Sequence, residues 1–190
     1  FNATLDQSVF RSAITGCADA AEQTGEGLAG TWPTRWPRWL GPQIDHVLVT
    51  GGSSGIGLAA AHKFAEAGAV TIICGRDQDK LDEACKEAKD KGYQFIAYPA
   101  DIADMADADR FVQLLIANHG GVDFLINNAG RSIRRAIEGS YDRFHDYERT
   151  MQLNYFGCLR LIMGFLPRMI ARHKGHVINI SSIGVLASSP

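Results

Sequence analysis

The sequence has no excess of charge of either sign, no long apolar run and no clustered cysteines. Its 190 residues include 19 Lys and Arg against 21 Asp and Glu, a net charge of −2, which excludes the strongly basic surface of a general nucleic-acid binder. No apolar run reaches the roughly 18 residues of a membrane-spanning helix. The four cysteines lack metal-ligand spacing, so we expect reduced thiols in a cytoplasmic protein and no metal site. A small-molecule substrate is the expected partner.

Residues 1–43 differ in composition from the rest and are predicted to be an arm or linker. They contain all three tryptophans, and Pro33 and Pro37 exclude a regular helix through the Trp-rich stretch. Trp and Arg residues are near neighbours in the sequence 32–39, a composition that suits a membrane-surface anchor. Packing on a neighbouring domain or subunit is the favoured interpretation. Because the chain does not begin with Met, we expect it to be a piece of a longer protein.

From residue 44 to residue 190, strand-like apolar runs alternate with helical patterns, which is typical of an α/β fold. Strands are predicted at 46–50, 70–74, 94–98, 122–126 and 176–180. Helices are predicted at 55–68, from a cap at Asp77 or Asp79 to Gly92, at 105–118, and along an apolar stripe from Phe144 to Leu166. Right-handed crossovers predict a doubly wound parallel sheet of Rossmann type, with strand order 3-2-1-4-5 and incomplete at the C-terminus.

A glycine-rich loop, Thr50-Gly-Gly-Ser-Ser-Gly-Ile-Gly57, connects the first predicted strand to the first predicted helix. Gly51 allows the sharp turn, Gly55 lets the backbone approach a pyrophosphate, and Gly57 lets the helix lie close to the sheet. Free amides at the helix start then face the phosphate charge. A tight turn without a ligand is the alternative, but the strand-turn-helix context favours dinucleotide binding. The predicted coenzyme contacts are Thr50, Gly51, Ser53, Ser54, Gly55, Ile56 and Gly57.

The choice between NADPH and NADH depends on the end of the second strand, where the chain reads Gly75-Arg76-Asp77. Arg76 offers a planar guanidinium for a 2′-phosphate. Asp77 stands where an acid is expected in NAD binders, but it also directly precedes a helical stretch and suits N-cap duty. The sequence therefore favours NADPH, with NADH as the open alternative.

Three further motifs stand at the ends of later strands: Asp101-Ile102, Asn127-Asn128-Ala129-Gly130 and Asn179-Ile180-Ser181-Ser182. Together with the glycine loop they make residues 44–190 resemble the short-chain dehydrogenase/reductase family, because each falls at the sheet edge where such folds bind ligands. The resemblance implies that Asp101 and Ile102 lie at the adenine and that Asn128, Ala129 and Gly130 form a wall of the coenzyme site. Taken singly, Asp101 is equally well a turn or cap residue, and 127–130 a loop leaving a buried strand.

The resemblance also implies catalytic roles for Ser182 and Asn154. Ser182 would hydrogen-bond the substrate carbonyl oxygen, and Asn154, within the long helix, would hold a water in a proton relay. Satisfying a local backbone kink is the structural alternative for Asn154. The family's Tyr-x-x-x-Lys, which supplies the general acid, is expected about a dozen residues beyond Ser182. No tyrosine of these 190 residues has Lys four residues later, so we expect no turnover from this stretch alone.

Residues 141–149 and 151–156 resemble the corresponding runs of bacterial fatty acyl-CoA reductases, which belong to this family and form fatty aldehydes from acyl thioesters with NADPH. Arg131, Arg134 and Arg135 bring three cations next to the predicted nicotinamide end, where they would meet phosphates of coenzyme A or of NADPH. A solvated basic turn paired with Glu138 and Asp142 is the alternative. A 3-oxoacyl or other ketone reductase and a non-catalytic NADP(H)-binding sensor also remain open. The resemblance to the family also implies that the helix around 147–169 forms a subunit interface, so we expect a homo-oligomer.

Overall fold

The computed structural model describes residues 46–133 and 135–182. The predicted arm at 1–43, with its membrane or packing role, lies outside the described residues, as do Cys17 and Arg134.

The described residues contain one five-stranded parallel sheet. Its strands are β1 (His46–Thr50), β2 (Val70–Gly75), β3 (Phe95–Pro99), β4 (Phe124–Asn127) and β5 (His176–Asn179). Their order is β3-β2-β1-β4-β5, which confirms the predicted 3-2-1-4-5 order and the doubly wound α/β fold. β1 is central and pairs in parallel with β2 and β4. Because all five strands run in the same direction, their carboxyl ends meet at one edge of the sheet.

Helices alternate with these strands along the chain. They are α1 (Gly55–Glu66), α2 (Gln78–Asp90) and α3 (Met105–His119) between β1 and β4, and then a longer helical stretch between β4 and β5. That stretch consists of α4 (Phe144–Met151), a π-helical turn (Gln152–Gly157) and α5 (Cys158–Ala171), preceded by a short 3-10 turn (Ile137–Gly139). None of the described helices is long and apolar enough to cross a membrane.

The core lies between the sheet and the helices that cover it. Leu48, Ile72 and Leu125, one from each of three neighbouring strands, are fully buried. Phe111 of α3 and Phe165 of α5 pack in the same cluster. Central parallel strands are covered on both faces and therefore read as continuous apolar runs, which is why the sequence predicted their positions well.

Most of the apolar stripe predicted along the long helix lies on its exposed side, whereas Ile162 of that stripe is partly buried against the core. The buried side of α5 is formed by Leu161, Phe165 and Met169. The exposed side carries large apolar residues along all three helical segments: Phe144, Tyr147, Met151, Tyr155, Leu159, Met163, Leu166 and Ile170. The helical stretch therefore has two apolar sides, one of which is covered within the described residues.

Candidate functional site

The glycine turn after β1 depends on backbone conformations and clearances that favour glycine. Gly51 and Gly55 have positive φ angles of 65° and 56°. An added Cβ at Gly57 would collide with the carbonyl oxygen of Gly51 and lie 2.5 Å from Nδ2 of Asn128. The N–H of Gly51 donates to the carbonyl of Cys74, 2.8 Å away, which ties the turn to the end of β2. The start of α1 is thereby held against the carboxyl ends of β1 and β2.

Sequence reasoning missed a fourth glycine of this turn. An added Cβ at Gly52 would lie 2.6 Å from Cγ2 of Ile73 and 3.0 Å from the carbonyl oxygen of Val49. Gly52 therefore allows the turn to pack on the buried face of β2. The adjacent Gly51-Gly52 pair in the sequence is the signal that indicates it.

The start of α1 is open to an anion. Its N-cap residue, Ser54, has extended backbone angles and makes no side-chain cap hydrogen bond, and the first turn contains no acidic residue. The first N–H groups of a helix have no partner within the helix and carry a partial positive charge. This helix start can therefore bind a phosphate without displacing a side chain of the chain itself.

Thr50 is the centre of the hydrogen bonds that join β1 to the Asn128 loop. Its fully buried hydroxyl accepts from the backbone N–H groups of Asn128 (3.0 Å) and Ala129 (2.9 Å) and donates to the carbonyl of Ile126 (3.3 Å). The side-chain amide of Asn128 donates to the carbonyl of Thr50, 2.9 Å away. These bonds hold Asn128, Ala129 and Gly130 beside the glycine turn. Direct contact of Thr50 with a coenzyme stays a prediction.

The end of β5 is tied to the end of β4. The side-chain amide of Asn127 donates to Oδ1 of Asn179, 2.9 Å away, and the N–H of Ile180 donates to the carbonyl of Asn127, also 2.9 Å away. Ser182 follows two residues later and is exposed. The predicted Ser182 thus belongs to the same sheet edge as the glycine turn.

Asn154 lies in the π-helical turn and binds the loop that follows Gly130. Its Oδ1 accepts from the backbone N–H of Arg131 (2.9 Å), and its Nδ2 donates to the carbonyl of the same residue (2.8 Å). The side-chain amide therefore pairs with the Arg131 backbone in the way that a neighbouring strand would. The kink-satisfying alternative does not describe these bonds, because both are made to the loop and neither to the helix.

At the end of β2, Asp77 caps α2 and Arg76 extends toward Asp101. Asp77 accepts from the backbone N–H of Lys80, 3.3 Å away, and this hydrogen bond lowers the pKa of the Asp77 carboxyl. The guanidinium of Arg76 lies 3.9 Å from the Asp101 carboxylate. Asp101 also accepts from the N–H of Ala103, 3.0 Å away, so the turn role considered for it is present. Ile102 is buried beside it.

A cleft of about 510 Å³ opens at this edge of the sheet. It is lined by Arg76, Asp101, Ala103, Gly130, Arg131, Arg149, Gln152 and Leu153, and we call it the arginine cleft. Arg131, expected near the nicotinamide end, therefore shares a cleft with Arg76 and Asp101, which were predicted at the adenosine end. Sequence reasoning missed Arg149 and Gln152. Gln152 and Leu153 follow Arg149 by three and four positions, a spacing that places all three residues on one face of a helix.

For Arg135, the structure shows a different partner from the predicted Glu138 and Asp142. Arg135 lies 3.5 Å from Asp146, which also accepts from Arg143, 2.7 Å away. Asp146 is buried at the start of α4 and so is held within reach of both cations, whereas Glu138 and Asp142 lie on the exposed loop.

The cysteines contribute no reactive or metal-binding group to the described site. Cys74, Cys85 and Cys158 are free thiols, and burial raises the pKa of Cys74 to about 12. Within residues 46–133 and 135–182, no group of three or more His, Cys, Asp and Glu side chains is arranged to hold a metal ion.

Comparison with known proteins assigns the chain to a family. Residues 45–190 match the family model described as short chain dehydrogenase. The chain is similar to a fatty acyl-CoA reductase of Acinetobacter baylyi, with 54% identity over 142 residues that cover 75% of this chain and 48% of that protein. It is also similar to a fatty acyl-CoA reductase of Mycobacterium tuberculosis, with 45% identity over 143 residues that cover 75% and 49%.

A solved structure supports the same assignment. The L-sorbose reductase of Gluconobacter frateurii, complexed with NADPH and L-sorbose, is 34% identical and superposes with a TM-score of 0.69, covering 76% of this chain and 54% of that chain. The chain spans about half the length of the curated relatives it matches. The family match, the strand order and the glycine turn agree, and the chain belongs to the short-chain dehydrogenase family of oxidoreductases.

Proposed function

We propose that the protein is an NADPH-dependent reductase that converts a long-chain fatty acyl-CoA to the fatty aldehyde and free coenzyme A. The observation that carries the proposal is the open start of α1 beneath the glycine turn, without a side-chain cap or an acid in the first turn. The substrate class is supported by the identity to two proteins named fatty acyl-CoA reductases.

The residues of the site fit a dinucleotide phosphate. The amides of Gly55, Ile56 and Gly57 would hold the diphosphate, and Arg76 would bind the 2′-phosphate. Asp77, the acid expected of an NADH binder, already caps α2, which favours NADPH over NADH. The remaining contacts proposed for the coenzyme are those of Thr50, Gly51, Ser53, Ser54, Asp101, Ile102, Asn128, Ala129 and Gly130.

The proposed chemistry is reduction of a carbonyl carbon at the end of β5. When bound, the reduced nicotinamide supplies the hydride. The Ser182 hydroxyl donates a hydrogen bond to the substrate carbonyl oxygen and stabilises the negative charge that develops there. Oδ1 and Nδ2 of Asn154 each make one hydrogen bond to the Arg131 backbone. Because Oδ1 can accept a second hydrogen bond and Nδ2 can donate a second one, both atoms can still bind the water of the proposed relay.

The cations of the loop after Gly130 are proposed to meet phosphate. Arg131 lines the arginine cleft, whereas Arg135 lies against Asp146 and is less available. We therefore propose Arg131, rather than Arg135, as a partner for a phosphate of the coenzyme or of acyl-CoA.

The activity is tested by giving the full-length protein NADPH and hexadecanoyl-CoA. We expect one thiol released for each NADPH consumed, with hexadecanal as the product detected by mass spectrometry. Ser182→Ala is expected to lose about 100-fold in kcat while retaining NADPH affinity. Reduction of a 3-oxoacyl ester without thiol release would support a ketone reductase instead. NADPH binding without reduction of either substrate would support a sensor.

A homo-oligomer is proposed through the exposed apolar side of the long helix. Met163 and Ile170 are each about 60% exposed there, and isolated subunits rarely leave so continuous an apolar surface uncovered. Sedimentation of the full-length protein is expected to give a dimer or larger assembly, and Met163→Glu to give a monomer. An unchanged assembly in that variant would contradict this interface. We also propose the cytoplasm as the location, consistent with the free thiols of Cys74, Cys85 and Cys158.

A further inference from the structure

The arginine cleft has more positive charge than the proposed role of Arg76 uses. Three guanidinium groups, Arg76, Arg131 and Arg149, line it together with one carboxylate, Asp101. That carboxylate lies 3.9 Å from Arg76 and also accepts from the N–H of Ala103. Among the described residues, neither Arg131 nor Arg149 forms an ion pair. Three guanidinium groups against one carboxylate give the cleft a net positive charge, and such a cleft attracts an anion.

The helix turn that carries Arg149 is anchored to the loop after β3. The side-chain amide of Gln152 donates to the carbonyl of Ala103, 2.9 Å away. At Gly157, an added Cβ would lie 2.5 Å from the carbonyl oxygen of Ile102, so this end of the helical stretch lies close against the same loop. Arg149, Gln152 and Leu153 all line the cleft, as residues spaced by three and four positions on one helix face do. The position of Arg149 beside the cleft is therefore set by packing.

We propose that Arg149 is a specificity-determining residue that binds the 2′-phosphate of the coenzyme together with Arg76. The inference rests on the proposed use of NADPH. A phosphate monoester carries nearly two negative charges and three acceptor oxygens. One guanidinium carries a single positive charge and binds two oxygens at a time, so a second cation can bind the same phosphate. Arg76 follows β2 and Arg149 belongs to α4, so the two cations reach the cleft from different elements. The phosphate neutralises cations that otherwise repel each other.

The test measures, by titration calorimetry, the affinity of the full-length protein for three adenosine phosphates that represent fragments of the coenzymes. The three ligands are 2′,5′-ADP, which represents the NADPH end, 3′,5′-ADP, which represents the adenosine end of coenzyme A, and 5′-AMP, which lacks the second phosphate. Arg149→Ala is expected to weaken 2′,5′-ADP about fivefold to tenfold while changing 5′-AMP less than about twofold. The NADPH-to-NADH affinity ratio is expected to fall by the same factor.

Arg168→Ala is the matched control. Arg168 is exposed on α5 and outside the cleft, so the variant removes one positive charge from the same helical stretch. It is expected to leave all three fragment affinities within about twofold.

Two results would overturn the inference. Equal weakening of 2′,5′-ADP and 5′-AMP by Arg149→Ala would mean that the residue does not read the second phosphate. A larger loss for 3′,5′-ADP than for 2′,5′-ADP would assign the cation to coenzyme A. These failures differ from failure of the proposed coenzyme, in which the unsubstituted protein binds NADPH no more tightly than NADH and 2′,5′-ADP no more tightly than 5′-AMP.

Discussion

The helices that follow β1 and β3 begin at the same edge of the sheet but in opposite chemical ways. At the start of α3, Asp104 accepts from the backbone N–H groups of Ala106 (2.8 Å) and Asp107 (3.2 Å), and Asp107 adds a second acid in the first turn. At the start of α1, Ser54 makes no side-chain cap hydrogen bond and no acid follows. A helix start closed by carboxylates stabilises the fold, whereas an open one can bind an external anion.

α2 follows the closed pattern as well. Asp77 caps it and Asp79 lies in its first turn. The contrast between α1 and the other two helices therefore does not arise from a general lack of caps in this fold. It arises at the helix start that the glycine turn holds open, and substitutions at the two kinds of helix start should therefore have different effects.

The largest effect is expected for Gly57→Ala. The added Cβ would collide with the carbonyl of Gly51 and approach Nδ2 of Asn128, so the helix start must move away from the turn. We expect the free energy of unfolding to fall by about 1–3 kcal/mol and NADPH affinity to fall by about tenfold or more. Urea unfolding and titration calorimetry measure the two quantities.

Gly139→Ala is the control for this variant. Among the described residues, the nearest atoms to an added Cβ at Gly139 would be those of the Arg135 side chain at 3.5 Å, an ordinary contact distance. If Gly57→Ala bound NADPH as well as Gly139→Ala does, close approach of α1 to the turn would not matter for binding.

The next largest effect is expected for Ser54→Asp, which converts the open helix start into a closed one. An acid at this position would cap α1 and compete with a diphosphate for the same amides. NADPH affinity is expected to fall about tenfold while the free energy of unfolding stays equal or rises. Ser54→Asn, which caps without charge, should weaken binding less. Equal NADPH affinity in the Asp variant and the unsubstituted protein would show that the phosphates lie elsewhere.

A smaller effect, on stability alone, is expected for Asp104→Ala. Loss of a cap that satisfies two amides should reduce the free energy of unfolding by about 1 kcal/mol. NADPH affinity should remain within about twofold, because this helix start does not bind the ligand. A comparable loss of affinity and stability would remove the distinction between the two helix starts.

The smallest effect is a pH dependence of the α2 cap. The hydrogen bond from the Lys80 N–H lowers the pKa of Asp77 below its ordinary value of 3.8. The ionised carboxylate therefore makes its whole contribution to the free energy of unfolding at pH values above 3.8. This contribution is lost as the pH falls through the lower, folded-state pKa. The free energy of unfolding, measured from neutral to acid pH, should therefore decrease less steeply at acid pH in Asp77→Asn than in the unsubstituted protein. Identical pH slopes in the two proteins would contradict a role for the charged form.

The strands, the glycine turn and one of the two closed helix starts could be predicted from the sequence. The strands could be predicted because buried parallel strands are continuous apolar runs, as in residues 70–74. The glycine turn and the Asp77 cap could be predicted because the sequence signal of each, a glycine spacing and an acid before a helical stretch, lies within a few positions. The long-range contacts of the turn, such as that of Gly57 with Asn128, could not be predicted from that signal.

The arginine cleft could not be predicted in the same way. Arg76, Asp101, Arg131 and Arg149 come from four separate segments, and no sequence period connects them. The pairing of Asn154 with Arg131 joins residues 23 positions apart, and the π-helical turn that carries Asn154 has no distinct pattern in the sequence. These features depend on which surfaces the fold brings together.

The most direct test follows the backbone amides of the two helix starts by NMR when NADPH is added to the full-length protein. The account predicts large shifts for the amides of Gly55, Ile56 and Gly57, and small shifts for those of Ala106 and Asp107, which Asp104 already binds. Absence of shifts at Gly55–Gly57 in the presence of bound NADPH would contradict the claim that the open start of α1 holds the diphosphate.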